Sequence, residues 1–252
     1  MDIKGHVFMV TGGATGLGRG AAKVLVEHGA KVAIIDTNSK KGKQLAEELG
    51  ENALFLKTDV TSEKDSLESL EKTADYFGGF HGLVNAAGIG VAEKILNKKS
   101  VHSLDHFKKV VEVNLVGTFN MMRLAADKLR YNEPNEDKER GVIINTASIA
   151  GLEGRVGQVA YSASKSGVAG MTLPAAREMA RYGVRVMTIA PGVFETILYD
   201  PLPKEALERL GEKVPFPNRI GKSTEYGSLV QHIISNPMLN GEIIRIDGAM
   251  RL

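Results

Sequence analysis

Apolar residues gather in short unbroken runs along this chain, and between the runs their spacing changes to a helical repeat. The runs fall at residues 6–10, 31–35, 53–56, 83–85, 142–145, 184–189 and 243–246 and are rich in Val, Ile and Leu. Runs this short, without polar alternation, read as strands buried on both faces, the pattern of a parallel sheet. Residues 40–49, 63–76, 104–129 and 162–182 instead return apolar side chains every three or four positions, the period of a helix. Alternating strands and helices predict an α/β fold, a doubly wound parallel sheet of about seven strands with helices on both faces. Ligands are then expected beyond the carboxyl ends of the strands, where the strand order reverses. No linker, repeat or shift of composition interrupts residues 1–252, which read as one domain; the polar stretch 132–140 reads as a solvated loop.

Charge adds little pull in any direction. The 252 residues carry 32 basic and 30 acidic side chains, a net charge of +2, so no global field draws the chain to nucleic acid or membrane. Arg185, Lys213 and Arg219 form no basic block, and no direct nucleic-acid site is expected. Without cysteine there is no disulfide and no thiolate chemistry, which suits a reducing compartment. No apolar run has the length of a membrane span and no presequence is visible, so composition alone points to the cytoplasm. His102 and His106 stand four apart, but no third ligand is apparent near them, and no metal site is expected.

Candidate chemistry begins at the first strand, which runs directly into TGGATGLG at residues 11–18, followed by a helical pattern. Gly12, Gly16 and Gly18 allow a tight turn, close approach of a pyrophosphate and close packing of helix on strand. Free N–H groups at the helix start, with the positive end of its dipole, suit the phosphates. A glycine turn alone also fits an ordinary loop. Here a second strand ends in Asp36, about 20 residues on, where a carboxylate bonds the adenosine ribose of NAD and repels the 2′-phosphate of NADP. Thr15 and Thr37 offer that phosphate no cation. NAD is the expected cofactor.

The second constellation is YSASK, with Tyr161 and Lys165 four residues apart, and Ser148 thirteen residues before the tyrosine. Four residues is one helical face, so the ammonium of Lys165 can lie beside the phenol of Tyr161. A nearby cation favours the phenolate and brings a tyrosine toward the working range of a general acid or base. Ser148, at the end of a strand, can hold the oxygen that gains or loses the proton, although a serine there also serves as a cap. Proton handling on an alcohol or carbonyl needs a hydride partner, and the glycine turn supplies a place for one. Asn114, in VEVNLVG, falls mid-helix by pattern, where its side chain is unfavourable unless it bonds backbone or water. Asp59 carries the signals of a cap for the turn that follows it.

TGGATGLG, Asp59-Val60, NAAG at residues 85–88, Asn114, Ser148, the Tyr161/Lys165 pair and Pro191-Gly192 stand in the order of the motifs of the short-chain dehydrogenase/reductases. Over essentially its whole length the chain resembles that family. Longer stretches, RYNEPN (130–135), GVIINTAS (141–148), GMTLP (170–174), RVMTIAPG (185–192), VPFPNR (214–219) and residues 229–251, resemble the branch acting on 3-hydroxyacyl-CoA thioesters and hydroxysteroids. The resemblance implies a Rossmann-type sheet and reversible NAD-linked oxidation of a secondary alcohol by Ser148, Tyr161, Lys165 and Asn114. Ser148 and Tyr161 then hold the substrate oxygen, Lys165 also bonds the nicotinamide ribose, and Asn114 holds a proton-relaying water. It assigns the cofactor to Gly12, Thr15, Gly16, Leu17, Gly18, Asp36, Asp59, Val60, Asn85, Ala86, Gly88, Tyr161, Lys165, Pro191, Phe194 and Thr196. It further implies a mitochondrial homotetramer, built on residues 104–129 and 162–182 with the C-terminal strand at a second interface. Two other roles come with it: an NADPH-dependent reductase of carrier-bound 3-oxoacyl groups, or a scaffold beside a tRNA methyltransferase in mitochondrial tRNA processing.

Glu195, Ala86 and Arg19 depart from the pattern of those relatives, where a small residue is expected at 195 and a cysteine at 86. Residues 193–220, apolar and punctuated by proline, read as a substrate flap or as an amphipathic surface helix between loops. Residues 92–103 fit either a contact to the CoA portion or a solvated face.

Overall fold

The structure, a computed structural model, describes residues 1–98, 100–196 and 204–252. Its strands are β1 (Val7–Thr11), β2 (Lys31–Asp36), β3 (Ala53–Lys57), β4 (Gly82–Asn85), β5 (Gly141–Thr146), β6 (Val184–Pro191) and β7 (Ile243–Ile246). They pair in parallel in the order β3-β2-β1-β4-β5-β6-β7. From β1 the chain builds outward through β2 and β3, then crosses back to place β4 on the other side of β1. That reversal opens a crevice above the carboxyl ends of β1 and β4.

The helices are α1 (Gly16–Glu27), α2 (Ser39–Leu49), α3 (Glu63–Phe77), α4 (Leu104–Val111), α5 (Gly117–Leu129), α6 (Val159–Met179), α7 (Lys204–Gly211) and α8 (Ser223–Ser235). Strand residues alternate between two cores. Phe8, Val10, Ile34, Ile144 and Ile189 pack with Leu25 of α1 and Ile233 of α8. Met9, Ala33, Ile35, Ile143 and Val186 pack on the other face with Leu70, Met121 and Leu129. Both faces are therefore covered, which is why the strands read as continuous apolar runs. Local signals set the ends: Ser62 caps α3 by accepting from the amide of Asp65 at 3.2 Å, and Gly78 ends it in the left-handed conformation.

Two of the expected helices differ in detail. The segment 104–129 is not one α-helix, because residues Glu112–Val116 form a widened π turn between α4 and α5. Such a turn carries one extra residue and re-aims the side chains on it. The helix expected at 162–182 begins earlier, at Val159, and its last turn tightens to a 3-10 turn over Ala180–Tyr182. Of the flap segment, Val193 and Phe194 are buried and Phe194 bridges to Gly221, while α7 covers Lys204–Gly211. Residues 197–203 of that segment lie outside the described residues.

Candidate active site

A cleft of about 580 Å³ lies at the crevice above the strand ends. Thr11, the last residue of β1, organises its floor. Its hydroxyl oxygen accepts from the amides of Ala86 and Ala87, both at 3.1 Å, tying the NAAG segment to the glycine turn. Contact is so close that a Cβ on Gly12 would stand 2.8 Å from Ala87 Cα, and Gly12 holds φ +61°, where only glycine is unstrained. The start of α1 is left open: Thr15 makes no capping bond through its side chain and the first turn holds no acidic residue. These are the terms of an anion-binding helix start. Asp36, closing β2, has its carboxylate fixed by the amides of Ala14 (3.1 Å) and Asn38 (2.9 Å).

The Asp59 carboxylate accepts from the amide (2.9 Å) and hydroxyl (2.7 Å) of Thr61, bonds that hold it below the usual carboxylate range. It therefore caps the turn and faces the cleft at once. Thr196 packs over Gly16, where an added Cβ would stand 3.3 Å from Thr196 Cβ and 3.4 Å from its Cγ2, and the Thr196 hydroxyl oxygen is buried without a hydrogen-bond partner among the described residues. A buried orphan of this kind beside a glycine cradle fits a bound polar ligand, since unsatisfied groups are costly otherwise.

The reacting groups meet at the other end. Ser148 leaves β5, Tyr161 and Lys165 lie one turn apart on α6, and all three line the cleft. Lys165 is 4% exposed, and its ammonium donates to the main-chain oxygen of Thr146 at 2.7 Å while lying 5.9 Å from the centre of the Tyr161 ring. Burial pushes its pKa down to about 8. Ser148 Oγ accepts from the amide of Ala150 at 3.1 Å, which leaves its own proton to donate. Behind them Thr146 Oγ1 is 2.6 Å from the Asn85 oxygen, which can only accept, and 2.7 Å from the Tyr226 hydroxyl. Thr146 spends its proton on Asn85, so Tyr226 is the donor to Thr146. Tyr226 is fully buried, and burial raises the pKa of its hydroxyl, keeping it protonated.

The π turn explains Asn114. Its side chain, 0% exposed, accepts from the amide of Ile89 at 2.8 Å and donates to Ile89 O (2.9 Å) and Ser164 Oγ (3.0 Å). Gly88 lies between the two polar groups: a Cβ there would stand 3.2 Å from Asn114 Oδ1 and 3.4 Å from Lys165 Nζ.

The cleft gathers Gly12, Thr15, Gly16, Leu17, Asp36, Asp59, Val60, Ala86, Gly88, Pro191, Phe194 and Thr196 with the reacting trio. Three expected residues stand behind this lining. Gly18 packs on the Gly12 backbone, Asn114 faces Ile89, and Asn85 (3% exposed) donates to Thr118 O and Asn145 Oδ1. Asn85 therefore braces the strand ends, one layer behind the residues that line the cleft. Sequence reasoning passed over Thr11, Arg155, Gln158 and Leu252; the last three line the cleft from the loop before α6, the cap of α6 and the C-terminus, while Leu210 lines it from α7 within the expected flap. Thr11 alone left a signal, as the residue joining strand to glycine turn. His102 and His106 share a partner, Glu93: His106 Nδ1 is 2.9 Å from its carboxylate, and His102 Nδ1 lies 3.1 Å from its main-chain oxygen.

Residues 6–206 match the family described as short chain dehydrogenase, and the chain belongs to that family: it is an oxidoreductase that works with a nicotinamide cofactor. Within the family it closely resembles 3-hydroxyacyl-CoA dehydrogenase type-2. It is 51% identical over 253 residues to the Homo sapiens protein of that name, covering 100% of this chain and 97% of the human one. The crystal structure of the Mycobacterium avium protein of that name superposes with a TM-score of 0.94 at 41% identity, over 98% of this chain and 96% of that one. A 3-ketoacyl-(acyl-carrier-protein) reductase from Brucella melitensis, crystallised with NADH, gives 0.89 at 28% identity, over 99% and 100%.

Proposed function

We propose that this chain oxidises the secondary alcohol of 3-hydroxyacyl-CoA thioesters to the ketone, reversibly, with NAD. The observation that carries the reading is the meeting of Ser148, Tyr161 and a buried Lys165 with a glycine cradle and Asp36 in one cleft. The open start of α1, the orphaned Thr196 hydroxyl and the Gly12 contact fit the dinucleotide. Gly12, Thr15, Gly16 and Leu17 would hold its pyrophosphate, Asp36 the adenosine ribose, Asp59 and Val60 the adenine. Ala86, Pro191, Phe194 and Thr196 would line the nicotinamide end. Bound there, NAD supplies the acceptor for the hydride that leaves the alcohol carbon.

Tyr161 takes the hydroxyl proton, helped by the charge of Lys165 beside its ring. Ser148 donates to the substrate oxygen, since its own acceptor role is filled by Ala150. Lys165 keeps further N–H groups for the nicotinamide ribose. Both N–H groups of Asn114 are committed, so a water held between Lys165 and Asn114 must accept from the ammonium and donate to Asn114 Oδ1. That would order the protein's part of the relay: a proton leaving the Tyr161 side would pass from the Lys165 ammonium to the water and on toward Asn114 Oδ1.

Tyr161→Phe should keep cofactor affinity and lose about 10²–10⁴-fold in turnover; near wild-type turnover would sink the assignment. Asp36 favours NAD over NADP, and equal kcat/KM with the two would contradict it. A spectrophotometric panel with acetoacetyl-CoA, a 17-ketosteroid and a 3-oxoacyl carrier substrate ranks the thioester reading against hydroxysteroid and carrier-bound alternatives. Mitochondrial residence and a tRNA methyltransferase partner belong to this proposal by likeness to the family, and fractionation with co-purification tests both. A homotetramer is supported by the apolar side chains exposed on α5 (Phe119) and α6 (Leu173), and sedimentation tests it.

A further inference from the structure

Arg155 sits in the loop that joins the Ser148 strand end to the Tyr161 helix, and it lines the cleft beside both. Its backbone is fixed by a reciprocal turn: the Arg155 amide donates to Gln158 Oε1 at 3.1 Å, and the Gln158 amide donates to Arg155 O at 3.0 Å. The guanidinium is half-buried, and no acceptor among the described residues meets it. The neighbouring carboxylates are taken. Glu153 serves Arg245 Nη1 (2.8 Å), the Leu252 amide (3.2 Å) and Arg251, while Glu93 serves the Ser103 amide (3.0 Å) and His106. Asp36, the last residue of β2, and Asp59, two residues past β3, are the acidic side chains of the cleft lining, at strands three and four sheet positions from β5. The same cleft has apolar wall from Val91, Ile149, Val193, Leu210 and Leu252, and the last four pack in one cluster. An arginine in a set turn, lining a partly apolar cleft without a counter-ion among the described residues, is a fork of donors suited to an oxyanion.

We infer that Arg155 is the anion anchor of the substrate end, selecting substrates that join an apolar acyl body to an oxyanion group. This rests on the thioester reading above. The oxyanion has two sources: a phosphate of the CoA arm, or a carboxylate at the far end of the acyl chain. A bond from a guanidinium to an oxyanion is worth more than a neutral one, and losing it from a partly buried site costs about tenfold or more in affinity.

The test compares kcat/KM for three thioesters in wild type, Arg155→Gln and Arg155→Lys. Acetoacetyl-CoA carries phosphates, 3-oxoadipyl-N-acetylcysteamine carries a terminal carboxylate, and acetoacetyl-N-acetylcysteamine carries neither. Expected is a fall of about tenfold or more in the preference for an anionic thioester over the neutral one in Arg155→Gln, with part of it restored in Arg155→Lys. A fall for the CoA probe names phosphate as the ligand, and a fall for the oxoadipyl probe names carboxylate. Preferences within about twofold of wild type for both probes overturn the proposal.

A second measurement separates this outcome from the fate of the dehydrogenase reading. Calorimetric titration of the NADH-loaded protein compares CoA with pantetheine, and 3-oxoadipyl- with acetoacetyl-N-acetylcysteamine. If wild type turns over no thioester, the dehydrogenase reading fails. The anchor still stands where the anionic member of either pair binds more tightly and Arg155→Gln abolishes the difference. It falls where neither pair shows that loss.

Discussion

Replacing Lys165 by methionine should change how stability depends on pH, by an amount that follows from the burial of the ammonium. In the folded chain this lysine titrates near 8, against an ordinary 10.5, because burial disfavours its charge. Below pH 8 folded and unfolded chains both hold the proton, and stability has no slope from this group. Between about 8 and 10.5 the unfolded chain alone holds it, so stability rises with pH. The contribution is complete above 10.5 and is lost as pH falls through 8. At about 1.4 kcal/mol per pH unit the window accumulates about 3 kcal/mol. Lys165→Met lacks the window. At pH 7 the variant should lie within about 2 kcal/mol of wild type, because relief of the buried charge is offset by leaving Thr146 O without its donor. Urea denaturation of both proteins at pH 7.5, 8.5, 9.5 and 10.5 isolates the term as a difference, since all other titrations are shared. Parallel stability curves across that range would refute the claim that burial sets the protonation of Lys165.

Other consequences are as direct. Burial, with His6 nearby as a second cause, lowers the pKa of His81 to about 4, so stability should be full above about 6.5 and fall as pH drops toward 4. His81 is only partly buried, and about 1–2 kcal/mol is expected after allowing for solvent; an imidazole titrating near 6.5 by NMR would contradict this. Tyr226→Phe removes the donor to Thr146 Oγ1 at the cost of about 1–2 kcal/mol. That is a fall of several degrees in Tm by calorimetry, and an unchanged Tm would mean the hydroxyl adds nothing net. Gly12→Ala forces a Cβ against Ala87 and a side chain into φ +61°. NADH affinity by fluorescence titration should drop about tenfold or more, and wild-type affinity would show that the turn yields freely.

The sheet was legible because parallel strands covered on both faces leave nothing to alternate: Val32 to Ile35 of β2 are all buried, and so read as one apolar run. The glycine turn, Asp36 and the Ser148, Tyr161 and Lys165 trio were legible because each is local, a turn, a strand end or a helical face. What escaped is set by tertiary partners. The π turn at Glu112–Val116 answers to the Ile89 backbone, 25 residues away, which no periodicity in VEVNLVG encodes. Asn85 lay in a motif, yet whether its amide faces cofactor or Asn145 depends on a strand 60 residues on. Arg155 and Leu252 reach the cleft from irregular segments, where neither period nor spacing marks a side chain as facing inward.

The acceptor that holds Lys165 is a main-chain oxygen. A carboxylate in its place would neutralise the ammonium and shield Tyr161 from its charge, whereas a peptide carbonyl orients the ammonium and leaves that charge free to act. The choice also shapes what mutation can reach. Every amino acid brings the same carbonyl to position 146, so no substitution there deletes the group that seats the lysine. The acceptor can be lost only by moving the end of β5, which the paired neighbours on either side resist. The lysine's seat is thus inherited with the backbone, and side chains around the cleft are free to diverge toward new substrates without unseating it.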